Sequence, residues 1–178
     1  MIDKQKIKDI KLFSFNSFKD SRGNFSRIFC KNLIKKKTND ISIKQINHSF
    51  TKNIHTLRGM HFQKKPKQEG KYMYVLTGKI QLVVVDIRPR SKTYKSYDSF
   101  ILENNKTEKK IIYIPKGCAN GFLTLTKNVN IIYMMTNYFD DKQNFGFRYD
   151  DENIAIKWKY KPKLVSDKDK NLPIFYKR

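Results

Sequence analysis

The sequence has few of the residues that define several other protein classes. Its two cysteines, Cys30 and Cys118, form no CxxC pair, so a disulfide-stapled scaffold is excluded. No apolar run approaches the roughly 18 residues of a membrane-spanning helix. The opening residues, MIDKQKIKDI, lack the apolar segment of a secretory signal. We therefore expect a cytoplasmic protein with no membrane association.

Acidic residues are scarce relative to basic ones. The chain has 38 Lys and Arg against 16 Asp and Glu, a net charge of +22. Such a balance attracts nucleic acid, acidic membranes or phosphorylated small molecules. The same lysines accompany abundant Asn, Ile, Phe and Tyr, as an A/T-biased coding sequence produces, and the runs at 35–37 and 64–67 contain few aromatics. We interpret most of the charge as solvated surface and do not expect nucleic acid as a partner.

The chain of 178 residues fits a single domain covering positions 1–178, since no repeat, linker or composition shift divides it. Short apolar segments alternate with turn residues about every ten positions, which is typical of an all-β sandwich or barrel. The predicted strands are 41–46, 72–76, 80–87, 100–102, 111–114, 122–126 and 131–136, with a short helix near 167–172. Gly78 predicts a tight hairpin between the second and third of these strands. Both carry apolar residues at nearly every position, so both faces should be covered.

The densest polar cluster is LRGMHFQ, residues 57–63. Positions three apart on a strand face opposite sides, so a bend at Gly59 is needed for Arg58 and His61 to enter one cavity. Histidine is the usual general base near neutral pH. For each of the three histidines the alternative is a structural residue with a satisfied hydrogen bond, and we interpret His55, among polar neighbours, in that way.

Two further clusters have simple structural explanations when taken alone. In IPKGCANGF, residues 114–122, proline and glycine account for a turn between strands. In IIYMMT, residues 131–136, Tyr133 has the setting of a core or interface aromatic.

Together the three clusters resemble the dTDP-4-dehydrorhamnose 3,5-epimerase family, nucleotide-sugar epimerases of the cupin class. The most specific match is LRGxHFQ followed by Gly70-Lys71 and then VVDxR at 84–88, and the similarity extends over about residues 12–173. The resemblance implies a cupin, or jelly-roll, β-sandwich barrel with a few short peripheral helices. It also implies a homodimer that exchanges an N-terminal strand.

The family's substrate is a nucleoside-diphosphate 4-keto-6-deoxy sugar, whose C4 ketone acidifies the hydrogens at C3 and C5. Inversion needs a base, an acid on the opposite face and a positive charge near the enolate oxygen. By matching motif, His61 is the base, Tyr133 the acid, Lys71 the cation, and Asp169 the carboxylate that orients the histidine. The C-terminal segment must then fold back over the barrel mouth.

The resemblance also implies ligand contacts and no cofactor. Those contacts are Arg22, Arg27, Gln45, Asn47, Arg58, Lys71, Asn120, Asn144 and Lys168. Arg27 and Asn144 stand where the family usually has glutamate, and Asn120 stands where it has histidine, which favours a different nucleotide or sugar. With His61 alone in the first cupin motif and Asn120 in the second, we expect no metal.

Two alternatives remain open at this point. One is a single-centre epimerase or ketoisomerase acting on another nucleoside-diphosphate 4-keto sugar. The other is a non-catalytic binder of sugar nucleotides or nucleic acid.

Overall fold

The computed structural model describes residues 5–103 and 108–175. Nearly all regular structure in this part of the chain is β. The strands are β1 (Lys11–Asp20), β2 (Gly23–Ser26), β3 (Gln45–Thr51), β4 (Thr56–Gln63), β5 (Lys71–Thr77), β6 (Lys79–Asp86), β7 (Tyr97–Glu103), β8 (Glu108–Ile114), β9 (Cys118–Thr124), β10 (Val129–Met135), β11 (Asn144–Gly146) and β12 (Leu164–Val165). Two one-turn helices, α1 (Lys31–Ile34) and α2 (Asp167–Lys170), and a 3-10 turn (Asp141–Gln143) complete the elements.

The strands form two sheets that face each other. The first has the order β2-β1-β8-β5-β10-β3, and the second β11-β4-β9-β6-β7, with β12 added in parallel beside β4. Met73 and Ile131 of the first sheet pack with Leu82, Val84 and Phe122 of the second in one buried cluster. This arrangement confirms the all-β jelly-roll sandwich with few helices.

The connection between β5 and β6 corrects the predicted hairpin. β5 pairs with β8 and β10, whereas β6 pairs with β7 and β9, so the chain passes from one sheet to the other at Gly78. The glycine has the positive φ that was expected, +83°, but this backbone conformation serves a crossover. Residues 72–75 and 80–86 are all buried, so both strands are covered on both faces as predicted.

Two segment predictions also change, and one hairpin was missed. β3 begins at Gln45, while Ile41 and Ile43 lie outside any strand and pack against a buried aromatic cluster that includes Tyr72. β9 begins at Cys118, so residues 118–121 belong to a strand and not to a turn. The hairpin of β1 and β2 was not predicted, although Phe13 and Phe15 alternate with polar residues as in a half-buried strand.

No helix within residues 5–103 and 108–175 combines the length and apolar character needed to cross a bilayer.

Candidate active site

A cavity of about 800 Å³ lies between the two sheets and contains most of the polar residues singled out above. Strands β3, β5 and β10 line it on one side, β4, β9 and β11 on the other, and α2 contributes at its edge. The predicted site residues that line it are Gln45, Asn47, Arg58, His61, Lys71, Asn120, Tyr133, Asn144, Lys168 and Asp169. All the predicted site residues except Arg22 and Arg27 therefore meet in one place.

A bend at Gly59 brings Arg58 and His61 to the same cavity. The pairing of β4 with β9 shifts between these two residues, from Arg58 opposite Phe122 to His61 opposite Asn120. Gly59 has φ +128°, and a Cβ there would lie 2.5 Å from the Cα of Gly121 on β9. Only a glycine permits this close approach of backbones.

His61 is held by a carboxylate from the C-terminal segment. Its Nε2 lies 2.7 Å from Oδ1 of Asp169, and Oδ2 of the same carboxylate accepts the Gly59 amide hydrogen bond at 3.0 Å. The Asp169 side chain is only 6% exposed, whereas His61 is 38% exposed towards the cavity. With Nε2–H donating to the carboxylate, Nδ1 is the ring nitrogen left to exchange a proton with a ligand.

Local structure explains how Asp169 reaches the site. β12 pairs in parallel with the start of β4, and Ser166 then caps α2 by accepting the Asp169 amide at 3.1 Å. Burial opposes ionisation of Asp169, but the hydrogen bonds from His61 and Gly59 and the charge of Lys168 outweigh it and lower the pKa of the carboxyl. Asp169 is therefore a carboxylate at neutral pH.

Lys71 places an ammonium group in the cavity. Its Nζ donates to Oδ1 of Asn120 at 3.2 Å and lies 3.9 Å from a carboxylate oxygen of Glu69. The side chain is 13% exposed, and burial lowers the pKa of Lys71 while the negative charge of Glu69 partly offsets that effect. Nζ also lies 5.9 Å from the centre of the Tyr133 ring.

Tyr133 and His61 approach the cavity from opposite walls. Tyr133 belongs to β10, where it pairs with Met73 of β5 and Asn47 of β3, in the first sheet. His61 belongs to β4 of the second sheet. A ligand between the sheets therefore has an imidazole on one side and a phenol on the other.

Hydrogen bonds fix three amide side chains of the cavity, those of Gln45, Asn47 and Asn120. Gln45 donates to Asn47 at 3.2 Å, and its amide oxygen accepts from the Phe139 amide at 2.7 Å. Asn120 donates to the His61 carbonyl at 3.0 Å, so it bridges the strand of the base and the ammonium of Lys71.

Arg22 and Arg27 are not brought to this cavity within one chain. Arg22 lies in the turn between β1 and β2, is 88% exposed and forms an ion pair with Asp20 at 2.7 Å. Arg27 directly follows β2. Arg27, which stands where the family usually has glutamate, therefore does not line the cavity of its own chain.

Sequence reasoning missed Glu69 and Phe139 and gave no role to Gln63 beyond its place in a motif, yet all three line the cavity. Glu69 stands two positions before Lys71, but no local pattern marks a carboxylate at that spacing as buried. Among the described residues, no group of three or more His, Cys, Asp or Glu side chains is arranged to hold a metal ion.

Comparison with known proteins gives consistent matches along nearly the whole chain. A family model described as dTDP-4-dehydrorhamnose 3,5-epimerase matches residues 4–177. The dTDP-4-dehydrorhamnose 3,5-epimerase of Sinorhizobium fredii is 33% identical over 168 residues, covering 94% of this chain and 85% of that protein.

Two solved structures extend the similarity to the fold. The epimerase of the same name from Bacillus anthracis, with TDP and PPi bound, has 32% identity and a TM-score of 0.90, covering 98% of this chain and 99% of that one. The dTDP-6-deoxy-D-glucose-3,5-epimerase of Legionella pneumophila, in complex with dTDP-4-keto-L-rhamnose, has 29% identity and a TM-score of 0.88, covering 96% and 89%.

Proposed function

Since the chain belongs to the dTDP-4-dehydrorhamnose 3,5-epimerase family, we propose that its cavity inverts carbon centres of a dTDP-linked sugar by proton transfer through an enolate. The protein is an isomerase, an epimerase acting on a nucleoside-diphosphate 4-keto-6-deoxy sugar. The dTDP moiety follows the names of relatives that share about a third of their residues with this chain.

His61 is the base in this proposal. Its Nδ1 removes the proton from C3 or C5 on one face of the sugar, and the electron pair moves towards the C4 carbonyl to form an enolate. Asp169, 2.7 Å from Nε2, fixes the ring tautomer and stabilises the imidazolium that results.

Lys71 and Tyr133 complete the reaction. The ammonium of Lys71, whose side chain is only 13% exposed, stabilises the negative charge on the enolate oxygen. Tyr133 then donates its phenolic proton to the same carbon from the opposite face, which inverts the centre. The observation that carries the proposal is that His61 and Tyr133 line one cavity from different sheets.

Arg22 acts in a homodimer under the same proposal. The hairpin of β1 and β2 lies at the edge of the first sheet, and its Phe18 and Phe25 are each 66% exposed. Exposed aromatics at a sheet edge are typical of a surface that another chain covers. We infer that the hairpin packs on a second copy and offers Arg22 to the diphosphate, since arginine suits bidentate phosphate contacts.

The test is proton exchange in deuterated water. dTDP-, CDP-, GDP- and UDP-linked 4-keto-6-deoxyglucose are incubated with the protein, and deuterium at C3 and C5 is read by NMR. We expect the dTDP compound to be labelled fastest and at both centres. Labelling at one centre only would identify a single-centre epimerase or ketoisomerase. Faster labelling of a CDP, GDP or UDP compound is the outcome expected if Arg27, Asn120 and Asn144 change the specificity.

Three variants assign the roles. His61→Ala should abolish exchange, whereas Tyr133→Phe, which removes only the phenolic proton donor, should slow inversion far more than initial exchange. His48→Ala is the matched control, because His48 is exposed on β3 and bonded to Asn130 at 2.9 Å. If the His61→Ala variant exchanges at the rate of the unmodified protein, His61 is not the base, and a non-catalytic binding function is favoured.

A further inference from the structure

Glu69 holds a fixed carboxylate beside Lys71. Its side chain is 6% exposed, in the loop that leads into β5. One oxygen, Oε2, accepts from Nε2 of Gln63 at 3.1 Å, and the other, Oε1, lies 3.9 Å from Nζ of Lys71. The second distance is too long for a hydrogen bond, so this contact is an interaction between charges.

Gln63 in turn is fixed on all sides. Its Nε2 also lies within hydrogen-bond distance of the carbonyl oxygens of Lys67 and Tyr138, at 2.9 and 3.2 Å, and its Oε1 accepts from the Asp140 amide at 2.7 Å. Because Gln63 cannot turn without breaking these bonds, the Glu69 carboxylate is held with one oxygen directed at the ammonium.

The ammonium of Lys71 has three hydrogens to donate. Asn120 accepts one of them at 3.2 Å. Glu69 attracts the group from a second direction without taking a hydrogen bond. At least one hydrogen therefore remains for a ligand oxygen in the cavity.

We propose that Glu69 is a positioning residue that keeps Lys71 charged and holds its Nζ where the ketone oxygen binds. The charge coupling stands on the geometry alone, and its effect on turnover rests on the proposed function.

The surroundings of Lys71 make this coupling necessary. Burial in the cavity favours the neutral amine, and the described cavity lining also contains the cations Arg58 and Lys168. The lining carboxylates are Glu69 and Asp169, and Asp169 is engaged by His61. From β10, Tyr133 presents its ring to Nζ, and from β9 the neutral Asn120 accepts a hydrogen bond. Glu69 is thus the carboxylate left to balance Lys71.

The test removes this charge while keeping the shape. Glu69→Gln can still accept from Gln63 through its amide oxygen. Glu103→Gln is the control, because Glu103 forms an exposed ion pair with Lys79 at 3.0 Å, outside the cavity lining. Acetylation of Lys71 by acetic anhydride is followed by peptide mass spectrometry across pH, since only the neutral amine reacts.

We expect the midpoint of Lys71 acetylation to fall by about 1–2 pH units in Glu69→Gln, as for loss of an opposite charge within 4–6 Å. It should not move in Glu103→Gln. The pH at which kcat for proton exchange decreases on the alkaline side should fall by the same amount. At the acidic end of the pH range, kcat should approach that of the unmodified protein. A purely structural role would lower kcat at every pH.

A second variant separates charge from folding. Glu69→Asp keeps the carboxylate and should leave the midpoint within about half a unit of its original position. An unchanged midpoint in Glu69→Gln, or equal shifts in Glu69→Gln and Glu69→Asp, overturns the proposal. If the acetylation midpoint shifts but His61→Ala still exchanges, the charge coupling stands and the epimerase mechanism fails.

Discussion

Replacing Asp169 by asparagine decides which ring nitrogen of His61 carries the proton. The carboxylate accepts two hydrogen bonds, from His61 at 2.7 Å and from the Gly59 amide at 3.0 Å. An asparagine has one oxygen. Because the Gly59 amide can only donate, that oxygen must face it, and the NH2 group then faces Nε2 of His61. Nε2 must accept, so the proton moves to Nδ1.

This tautomer places the proton on Nδ1, the nitrogen that must be unprotonated to act as the base in the proposed mechanism. Returning the proton to Nε2 would set it against the NH2 of asparagine, or turn the amide and leave the buried Gly59 amide unpaired, at a cost of about 1–3 kcal/mol. The variant also loses the negative charge that stabilises the imidazolium. Together we expect proton exchange to slow by about 10³- to 10⁴-fold, as for other histidine bases deprived of their carboxylate.

The assay is deuterium incorporation into the nucleotide-linked 4-keto sugar under saturating conditions, with circular dichroism melting to show that the fold persists. Asp167→Asn is the matched control, since it removes the same charge from the same helix at a side chain that is 90% exposed. It should exchange within about twofold of the unmodified protein. If Asp169→Asn retains more than a tenth of the exchange rate, the orienting role is refuted.

Two further predictions concern the backbone and the assembly. Gly59→Ala should lower the free energy of unfolding, measured in urea, by about 3 kcal/mol or more. Gly59 has φ +128°, and the new Cβ would lie 2.5 Å from the Cα of Gly121. Gly23 has φ +137°, and a Cβ there would have no atom within 4 Å, so Gly23→Ala should lose only about 1–2 kcal/mol through backbone strain. Equal losses in the two variants would show that the contact with Gly121 is not what destabilises Gly59→Ala. Arg22→Ala should raise KM with kcat retained, and sedimentation should show a dimer; a monomer with unchanged KM would remove Arg22 from the site.

Local patterns predicted the strands that are covered on both faces. The consecutive apolar residues of β5 and β6 require cover on each side, and both strands are present. The partners of these strands could not be predicted in the same way, because the positive φ of Gly78 suits a hairpin and a crossover equally. Near Asn120, Pro115 and two glycines favour a turn, but pairing with β4 and β6 makes the segment a strand.

The site was predictable to the extent that its residues fall within motifs. The bend at Gly59 followed from the need to bring Arg58 and His61 together. The contact between His61 and Asp169 joins residues 108 positions apart, and only the resemblance to a family pointed to it. No sequence pattern marked Glu69 as a site residue, because its burial results from packing between β4 and β5 and not from a periodic pattern of apolar residues.

The position of α2 late in the chain has a consequence for synthesis on the ribosome. Every strand of both sheets up to β11 is translated before Asp169 emerges. Until then, the imidazole of His61 lacks the carboxylate that lies 2.7 Å from its Nε2 in the complete fold. A chain that stops just upstream of α2 would therefore lack both the carboxylate that holds His61 and the ring of Phe175, which packs against Phe147.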